Sequence, residues 1–448
     1  MRTFYIETYG CQMNEHDSQK MEALLRMEGY AKATALKDAD VVVINTCSIR
    51  EKPYQKAMSA IGRTRKGKIA MLNDPAQKPV IAVTGCVASH DGEYVLKNFP
   101  YVDIAIGPDH IGELPSLVRA AEEKKQRTVR TEFYDLSDYE FPTAILEPDT
   151  ENAESRVRAY VTITKGCDNA CSFCIVPFTR GKEVSRMPND IIDEIQRLEA
   201  RGVKEITLLG QNVNSYGKRL PVKTDFAQLL RRIDEETQIA RIRYTSPHPK
   251  DLSVGLIREY AINKKLCTQI HLPIQSGSNR MLKKMRRSYT RSTYLKRVEA
   301  LRKACPDILI TTDLIVGFPG ETDKDFQETL DVMRVVQYAN SFSFSFSPRP
   351  NTEAIQFKDD VPEDVKAERL KTLQDLQKEM TQRFNESRIG KIEEVLVENV
   401  GRRDPGLFGR TNQGILVNFP GDASLVGAIV SVKIQEASVH CLRGEKIN

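Results

Sequence analysis

β-Branched runs alternate with amphipathic helical patterns along most of the chain, and this alternation restricts the fold more than any other feature. A strand followed by a helix returns to a parallel neighbour, so the pattern predicts parallel sheets covered by helices. In residues 1–120 the predicted strands are Phe4–Thr8, Val41–Asn45, Val80–Thr84 and Asp103–Ile106. We therefore expect an α/β fold that begins with a small doubly wound domain.

The alternation is interrupted by an acidic segment and then resumes with longer units. Residues 131–152 hold seven Asp/Glu and neither Lys nor Arg, so we expect a solvated linker over 121–152, with its aromatic residues partly packed on a neighbouring domain. Residues 153–383 predict a partial (β/α)6 barrel with its active site at the carboxyl ends of the strands. Its predicted strands are Ala159–Thr164, Ile206–Gly210, Arg241–Ser246, Gln269–Ile274, Ile308–Gly317 and Ser341–Ser347.

The C-terminal part combines one long helix with a segment that has only β signals. A stripe of apolar residues predicts the helix over 363–388. Residues 384–448 predict a small all-β barrel, because short β-branched runs alternate there with Gly and Pro turns. Residues 386–448 hold eight Lys/Arg and eight Asp/Glu, so the composition of this segment alone does not indicate RNA binding.

Composition places the chain among ordinary globular proteins. It has 66 Lys+Arg against 61 Asp+Glu, a formal net charge of +5, and 40% apolar residues, which excludes collagen-like and disordered classes. No run of 18 apolar residues predicts a membrane span, and Met1–Glu7 resembles a strand and not a signal peptide. We therefore expect a cytoplasmic protein, in which clustered cysteines more often bind metal than form disulfides.

Three cysteines stand within eight residues, directly after the first predicted barrel strand. Cys167, Cys171 and Cys174 form a C-x3-C-x2-C loop. Three thiolates on one loop can each bind one iron of a 4Fe-4S cluster and leave the fourth iron open to an exogenous ligand. Structural zinc would need a fourth ligand, and no residue nearby has zinc-like spacing. Buried core cysteines are the other alternative, which such close spacing disfavours.

Three further cysteines share one topological position. Cys11, Cys47 and Cys86 each lie two or three residues past a predicted strand of the first domain. Because parallel strands end at the same edge of a sheet, we expect these thiols to converge. A single one would be read as a buried hydrophobic residue, but the shared position favours a second iron–sulfur cluster. The remaining cysteines, which share no spacing, are interpreted as core or incidental residues: Cys267, Cys305 and Cys441.

The chain resembles the methylthiotransferase family of radical S-adenosylmethionine (SAM) enzymes from end to end. The resemblance rests on the cysteine loop and on the motifs TYGCQMNEHDS, VVVINTCSIR, LLGQNVNSYG, YTSPHP, HLPIQSGSNRMLKKMRRSYTR and TDLIVGFPGETDKDF. It implies that one cluster cleaves SAM to a radical and that an auxiliary cluster carries the sulfur to be inserted. It also implies that the C-terminal barrel is an RNA-binding TRAM domain. The six cysteines then serve as cluster ligands and catalytic residues.

The resemblance extends to substrate, partners and SAM contacts. The sequence Cys11-Gln12-Met13-Asn14 resembles the branch that modifies dimethylallylated adenosine beside the tRNA anticodon at C2, with SAM as methyl donor and radical source. It implies an electron donor such as a flavodoxin or ferredoxin, and a sulfur donor; we expect a monomer. Residues at the ends of predicted barrel strands are the candidates for SAM contact: Gln211, Asn212, Gln275 and Gly317.

A basic run between Ser278 and Lys303 is a candidate RNA contact. It holds ten Lys/Arg and one acid, Glu299, beside the predicted active-site edge. A solvated helix face is the alternative, but the position favours phosphate contact. The basic residues are Arg280, Lys283, Lys284, Arg286, Arg287, Arg291, Lys296, Arg297, Arg302 and Lys303, with a smaller patch at Arg63, Arg65, Lys66 and Lys68.

Two kinds of alternative function remain open. The first keeps the chemistry and changes the substrate, to a ribosomal-protein aspartate or to threonylcarbamoyladenosine in tRNA. The second is a non-catalytic iron–sulfur protein that binds RNA or transfers electrons, which would not cleave SAM.

Overall fold

The computed structural model describes residues 1–48, 51–70, 79–142, 156–401 and 406–447, and of residues 51–53 and 65–70 it describes the backbone alone. The chain divides into two compact units. The first comprises Met1–Glu147, Lys165–Ala170 and Cys174–Val184, and the second comprises Pro148–Thr164, Cys171–Phe173 and Ser185–Asn448.

The first unit is built on a parallel six-stranded sheet with the order β2-β1-β3-β4-β5-β6. Its strands are β1 Thr3–Thr8, β2 Ala31–Lys32, β3 Val41–Thr46, β4 Val80–Gly85, β5 Ile104–Ile106 and β6 Thr128–Arg130. Its main helices are Gln12–Met27, Glu51–Ala70, Cys86–Asn98 and Leu114–Lys124.

Helices cover both faces of this sheet, which explains the uninterrupted apolar strands. In β3, Val41 and Val43 pack into one apolar cluster, whereas Val42 and Ile44 pack into another on the opposite face. A parallel strand that is buried on both faces has no polar alternation, because both sets of side chains leave water. The predicted doubly wound domain is confirmed.

The sheet continues past residue 120, where the sequence analysis ended the first domain. Helix Leu114–Lys124 crosses that boundary, and β6 pairs with β5 inside the segment that was assigned to a linker. The sequence Thr128-Val129-Arg130 is a short, half-exposed edge strand, so it has too few apolar residues to give a strand signal. Residues 143–152 of the acidic segment lie outside the described residues.

The second unit contains six parallel strands with helices between them, in agreement with the predicted barrel-type core. The strands are β7 Arg158–Thr162, β10 Glu205–Leu209, β11 Arg241–Tyr244, β12 Gln269–His271, β13 Leu309–Val316 and β14 Asn340–Ser345; the two-residue strands β8 Thr164–Lys165 and β9 Val184–Ser185 precede and follow the cysteine loop. The helices of this unit are Pro188–Ala200, Phe226–Glu236, Val254–Ile262, Asn279–Lys284, Arg291–Ala304, Asp323–Val336 and Glu363–Glu386, whereas helix Val176–Arg180 after the loop belongs to the first unit.

The six strands of the core form two three-stranded sheets, β11-β10-β7 and β12-β13-β14. A parallel bridge between Ile242 and Leu266 connects them just before β12 begins. One apolar cluster fills the space between strands and helices, and it includes Val161, Leu208 and Ile310. The carboxyl ends of all six strands therefore belong to one framework, on which loop residues can be positioned.

The chain ends in a closed five-stranded barrel with the order β15-β16-β17-β19-β18. Its strands are β15 Ile392–Val400, β16 Leu407–Thr411, β17 Leu416–Phe419, β18 Ile429–Ala437 and β19 Leu442–Lys446. β16 and β19 have no clear strand signal in the sequence, because each contributes few apolar side chains. One position of β16 is Gly409, where a Cβ would lie 2.0 Å from the Leu396 carbonyl oxygen of the neighbouring strand β15.

The small barrel packs against the amino ends of the core strands. Arg241, the first residue of β11, donates hydrogen bonds of 2.8 Å to the carbonyl oxygens of Arg410 and Glu394. Arg243 donates one of 2.8 Å to the Thr411 carbonyl oxygen. These arginines are buried, so the contact consists of charged donors that satisfy barrel carbonyls away from water.

Acidic residues compensate the buried arginines at this contact. Glu205 is fully buried and lies 2.9 Å from both Arg158 and Arg243. Glu398 of the small barrel lies 3.4 Å from Arg158. Burial alone would raise the pKa of Glu205, but the charges of Arg243 and Arg158 hold it below its ordinary value.

The helices in the described part of the chain are too short or too polar to span a bilayer.

Candidate functional site

Cys11, Cys47 and Cys86 converge at the carboxyl edge of the first sheet. They follow β1, β3 and β4, which are neighbours in the sheet. A Cβ built on Gly10 would lie 3.1 Å from the Cys47 Sγ, and the Cys86 thiol is close enough to Cys11 to perturb its pKa. Cys47 and Cys86 are buried, and Cys11 is exposed at the rim. The structure thus brings together three residues that are far apart in sequence.

Glycines before two of these cysteines allow the turns that lead out of the strands. Gly10 has φ +128° and Gly85 has φ +87°, values that L side chains rarely adopt. A Cβ on Gly85 would also lie 2.4 Å from the Thr46 carbonyl oxygen. Both positions therefore require glycine, for backbone conformation and for close approach of the neighbouring turn.

The helix that follows Cys11 holds the turns together through Asn14. The Asn14 Nδ2 donates to the Thr46 carbonyl oxygen at 2.7 Å, and the Asn45 Nδ2 donates to the Asn14 carbonyl oxygen at 2.8 Å. The Cys11 Sγ lies 3.5 Å from the Asn14 Oδ1. Although the residue is exposed at the rim, protein atoms packed around its sulfur desolvate the thiol and raise the pKa of Cys11, and the guanidinium of Arg180 lowers it in part.

The donor set at this edge consists of three thiols, the side chains that bind iron–sulfur clusters. Among the residues that the structure describes, no three His, Cys, Asp or Glu side chains approach closely enough to hold one ion. A cubane distributes its irons over its corners, so thiolates that bind different irons lie farther apart than ligands that share an ion. Three thiols that follow neighbouring strands are the kind of ligand set that leaves one iron of a cluster open, and their assignment stays a prediction.

In the C-x3-C-x2-C loop, two N–H groups of Asn169 face the sulfur of Cys167. The Asn169 backbone N–H and its Nδ2 lie 3.4 and 3.5 Å from the Cys167 Sγ. The loop occupies residues 167–175 and is followed by helix Val176–Arg180, with all three cysteines half-buried. N–H groups directed at sulfur stabilise a thiolate, which is the form that binds iron.

A buried arginine plays the corresponding part at Cys171. The Arg287 Nη1 donates to the Cys171 Sγ at 3.3 Å, and its Nη2 donates to the Pro273 carbonyl oxygen at 2.7 Å. Arg287 thereby ties Cys171 to the chain that leaves β12. From the sequence, Arg287 is predicted only as one charge of the basic run, because no local pattern indicates its contact with Cys171.

A neutral histidine also faces Cys171. The His248 Nε2 lies 3.9 Å from the Cys171 Sγ. Burial, followed by the positive charges of Arg287 and Lys250, holds the pKa of His248 far below its ordinary value. The imidazole is therefore neutral at physiological pH and adds no charge beside the sulfur. His248 belongs to the motif YTSPHP, whose spacing alone predicts no role for this residue.

The predicted SAM-contact residues lie past the ends of core strands, and two of them have clear structural partners. Asn212 donates to Asp251 at 2.8 Å and accepts from the His248 N–H at 3.1 Å, so its carboxamide organises the loops. Gly317 has φ +67°, and a Cβ there would lie 2.3 Å from the Lys366 Cγ. Packing against the long C-terminal helix thus suffices to explain Gly317.

The other two predicted residues, Gln211 and Gln275, flank the same edge. Gln211 is half-buried and directly precedes Asn212. Gln275 is buried and has φ +74°, an uncommon backbone conformation for a residue with a side chain. Its backbone pairs with β13 through Asp313 and Ile315. Such strain is concentrated at functional sites, so Gln275 stays a candidate for ligand contact.

Most of the basic run between Ser278 and Lys303 is engaged inside the protein. Six of its ten cations bond to acidic side chains, backbone carbonyls or a thiol: Arg280, Lys284, Arg286, Arg287, Arg297 and Arg302. Within the described part of the chain, this leaves four side chains for an external phosphate: Lys283, Arg291, Lys296 and Lys303. Arg291 and Lys296 line a groove of about 550 Å³. The count of ten cations in this run therefore overstates its positive surface.

The smaller basic patch begins at Arg63, and three cysteines lie outside the two predicted sets. Arg63 bonds to the Tyr9 hydroxyl at 2.9 Å, and the side chains of Arg65, Lys66 and Lys68 lie outside the described residues. Cys267 and Cys305 are buried, and Cys441 is half-buried.

Comparison with known proteins defines the class. Residues 161–333 match the radical SAM superfamily, residues 3–107 match Uncharacterized protein family UPF0004, and residues 386–447 match the TRAM domain. The fold is similar to that of a radical S-adenosylmethionine methyltransferase, TsrM, from Kitasatospora setae, with a TM-score of 0.57 and 13% identity over 90% of this chain and 78% of that chain. A radical SAM enzyme with a TRAM domain is the class that fold and site define.

Two curated relatives narrow this class. The tRNA-2-methylthio-N(6)-dimethylallyladenosine synthase of Syntrophus aciditrophicus is 45% identical over 99% of this chain and 94% of its own length. The enzyme of the same name from Geobacter metallireducens is 45% identical over 99% of this chain and 98% of its own length. The chain belongs to the family of tRNA-2-methylthio-N(6)-dimethylallyladenosine synthases.

Proposed function

We propose that this protein methylthiolates N6-(dimethylallyl)adenosine beside the anticodon of tRNA, at C2 of the adenine. It uses two SAM molecules, one as methyl donor and one as radical source, with sulfur carried by a cluster. The observation that carries this proposal is the presence of two separate three-cysteine sets in a chain of this family, one at the edge of the first sheet and one on the loop between β8 and β9.

The six cysteines divide into two functional sets. Cys167, Cys171 and Cys174 hold the cluster that binds and cleaves SAM, and the auxiliary trio, Cys11, Cys47 and Cys86, holds the cluster that bears sulfur. When bound, the first cluster supplies the electron for SAM cleavage, and the second supplies the sulfur atom for insertion. N–H donors to Cys167 and Cys171 support the assignment, because they favour thiolates over thiols.

The protein's own residues orient these groups and exclude water. Arg287 fixes Cys171 against the end of β12, and Asn212 and His248 hold the loops after β10 and β11. Gln275 and Gln211 are proposed contacts to SAM, since both flank the carboxyl ends of core strands. Gly317 has a packing role that accounts for it without a ligand.

Transfer RNA is the proposed partner. It would contact the TRAM barrel and the four side chains of the basic run that are left for an external phosphate: Lys283, Arg291, Lys296 and Lys303. The target base must leave its stack to reach a buried pocket, and an anticodon-loop base does so at lower cost than a paired one. We propose a cytoplasmic monomer that receives electrons from a flavodoxin or ferredoxin. Sulfur comes from a separate donor.

Anaerobic reconstitution of two variants tests the division of the cysteines. Cys11→Ala is expected to lose half of the bound iron and still release 5′-deoxyadenosine from SAM under reducing conditions. Cys171→Ala is expected to retain the other half and to release none. Cys441→Ala is the matched control and should behave as the parent protein. Equal iron loss with unchanged SAM cleavage in Cys171→Ala would refute the assignment.

Nucleoside analysis tests the substrate. Bulk tRNA from a deletion strain should lack 2-methylthio-N6-(dimethylallyl)adenosine by mass spectrometry, and complementation should restore it. An unmodified ribosomal protein together with normal tRNA in that strain would instead identify the aspartate-modifying activity.

A further inference from the structure

A buried arginine lies beside the auxiliary trio and has no part in the function described so far. Arg180 is 3% exposed and ends the short helix Val176–Arg180. Its Nη2 donates to the Asp17 Oδ2 at 2.7 Å and to the Asn14 Oδ1 at 3.3 Å. A guanidinium is always charged, so this position carries a permanent positive charge inside the first unit.

Asn14 fixes the guanidinium relative to the cysteine-bearing turns. The Asn14 Oδ1 that accepts from Arg180 also lies 3.5 Å from the Cys11 Sγ, and its Nδ2 bonds to the carbonyl oxygen of Thr46, the residue before Cys47. One carboxamide therefore connects the guanidinium of Arg180 to the turns that carry Cys11 and Cys47.

The effect of such a cation follows from the charge of a cluster. Three thiolates with the cluster they bind form a negative group, and each added electron makes it more negative. A fixed positive charge nearby favours the more negative state, so it raises the reduction potential and strengthens cluster retention. Asp17, which accepts from the same Nη2 as Asn14, has the opposite sign and therefore acts on the cluster in the opposite direction.

We propose that Arg180 is a positioning residue of the auxiliary cluster, which its fixed charge holds and whose reduction potential it raises. This rests on the proposed function, because it takes Cys11, Cys47 and Cys86 as cluster ligands. Arg180 stands six residues after Cys174, so the same segment supplies a ligand to one cluster and the charge beside the other.

A series of charge variants separates this role from that of an ordinary buried ion pair. Arg180→Gln should shift the midpoint potential of the auxiliary cluster to a more negative value, and Asp17→Asn should shift it to a more positive one. The double variant should lie between them, near the parent protein, and Arg180→Lys should retain most of the parent potential. An ion pair that only stabilises the fold gives lower melting temperatures without shifts of opposite sign.

The measurement is a redox titration followed by electron paramagnetic resonance, on full-length protein carrying Cys171→Ala so that the auxiliary cluster is the one observed. Arg186→Gln is the matched control, since Arg186 is a buried arginine whose carboxylate partner is Glu194; it should lower stability and leave the potential unchanged. Iron loss to a chelator should be several times faster in Arg180→Gln than in the Arg186→Gln control.

The outcomes separate a failure of the cluster-ligand assignment from a failure of the proposed role of Arg180. If the Cys171→Ala protein binds no cluster, the ligand assignment fails, and with it the proposed function. If it binds a cluster whose potential is the same in Arg180→Gln and Asp17→Asn, or shifts with one sign in both, the role of Arg180 is refuted while the function stands. Should Arg180→Gln alone fail to fold, the double variant is compared with Asp17→Asn, and the proposal requires the more negative potential in the double variant.

Discussion

Replacing Arg241 by methionine should loosen the small C-terminal barrel from the core. Arg241 donates two hydrogen bonds to barrel carbonyls, those of Arg410 and Glu394. Hydrogen bonds from a charged donor contribute about 1.5–3 kcal/mol each, so the pair is worth about 3–6 kcal/mol in the folded contact. Arg241 itself is costly to bury, since burial holds its pKa below the ordinary value despite the attraction of Cys267 and Glu205. Methionine avoids the cost of burying a charge and keeps part of the packing, so the contact between barrel and core loses about 2–4 kcal/mol of stability in total.

The assay is chemical denaturation together with hydrogen exchange. The barrel has its own apolar core, so it should stay folded when the contact weakens, and one unfolding transition should separate into two. Amides around Leu396 and Thr411 should exchange faster, while those in the barrel core keep their protection. Arg258→Met, on the exposed face of helix Val254–Ile262, is the matched control. A single transition with the parent midpoint in Arg241→Met would refute the reasoning.

Three further predictions address other contacts. Glu205→Gln should destabilise the protein by about 3–5 kcal/mol at neutral pH, because two buried arginines lose their carboxylate. Since folding lowers the pKa of Glu205, the extra stability of the parent protein is present above the pKa of the unfolded state and is lost as the pH falls towards the pKa of the folded state. Acid denaturation of both proteins measures this difference. Gly317→Ala should cost about 1–3 kcal/mol in thermal unfolding, through the contact with Lys366 and positive φ, whereas Gly29→Ala, with positive φ and open space, reports the backbone effect alone. Arg287→Met should reduce 5′-deoxyadenosine release about 10–100-fold, because Cys171 loses its N–H donor, and unchanged release would contradict that role.

Strand positions and the convergence of the auxiliary trio could be predicted from the sequence because both depend on local pattern. Val41–Asn45 and Val80–Thr84 are β-branched runs buried on two faces, and a cysteine after each such strand must reach the same sheet edge. Edge strand β6 and barrel strands β16 and β19 lack that signal, since few of their side chains are apolar.

The polar groups around the sulfurs could not be predicted, because they come from distant parts of the chain. Arg287 is 116 residues from Cys171, and Arg180 is 163 residues from Asp17. Charge counting also failed in the basic run, where Arg280 and Arg302 have partners inside the protein that only the fold brings near. Local spacing finds ligands on one loop or one edge, and tertiary structure decides what surrounds them.

The attachment of the small barrel at the amino ends of the core strands has a consequence for substrate size. The proposed ligands lie past the opposite ends, and the eight residues of β13 separate the two ends by roughly 25 Å at about 3.3 Å per residue. A nucleic acid that touches both must extend along the flank of the core for about seven or eight base-pair steps of 3.4 Å. A lone nucleoside, or a loop severed from its stem, is too short to reach both ends, so the enzyme would select its target partly by the length of the RNA.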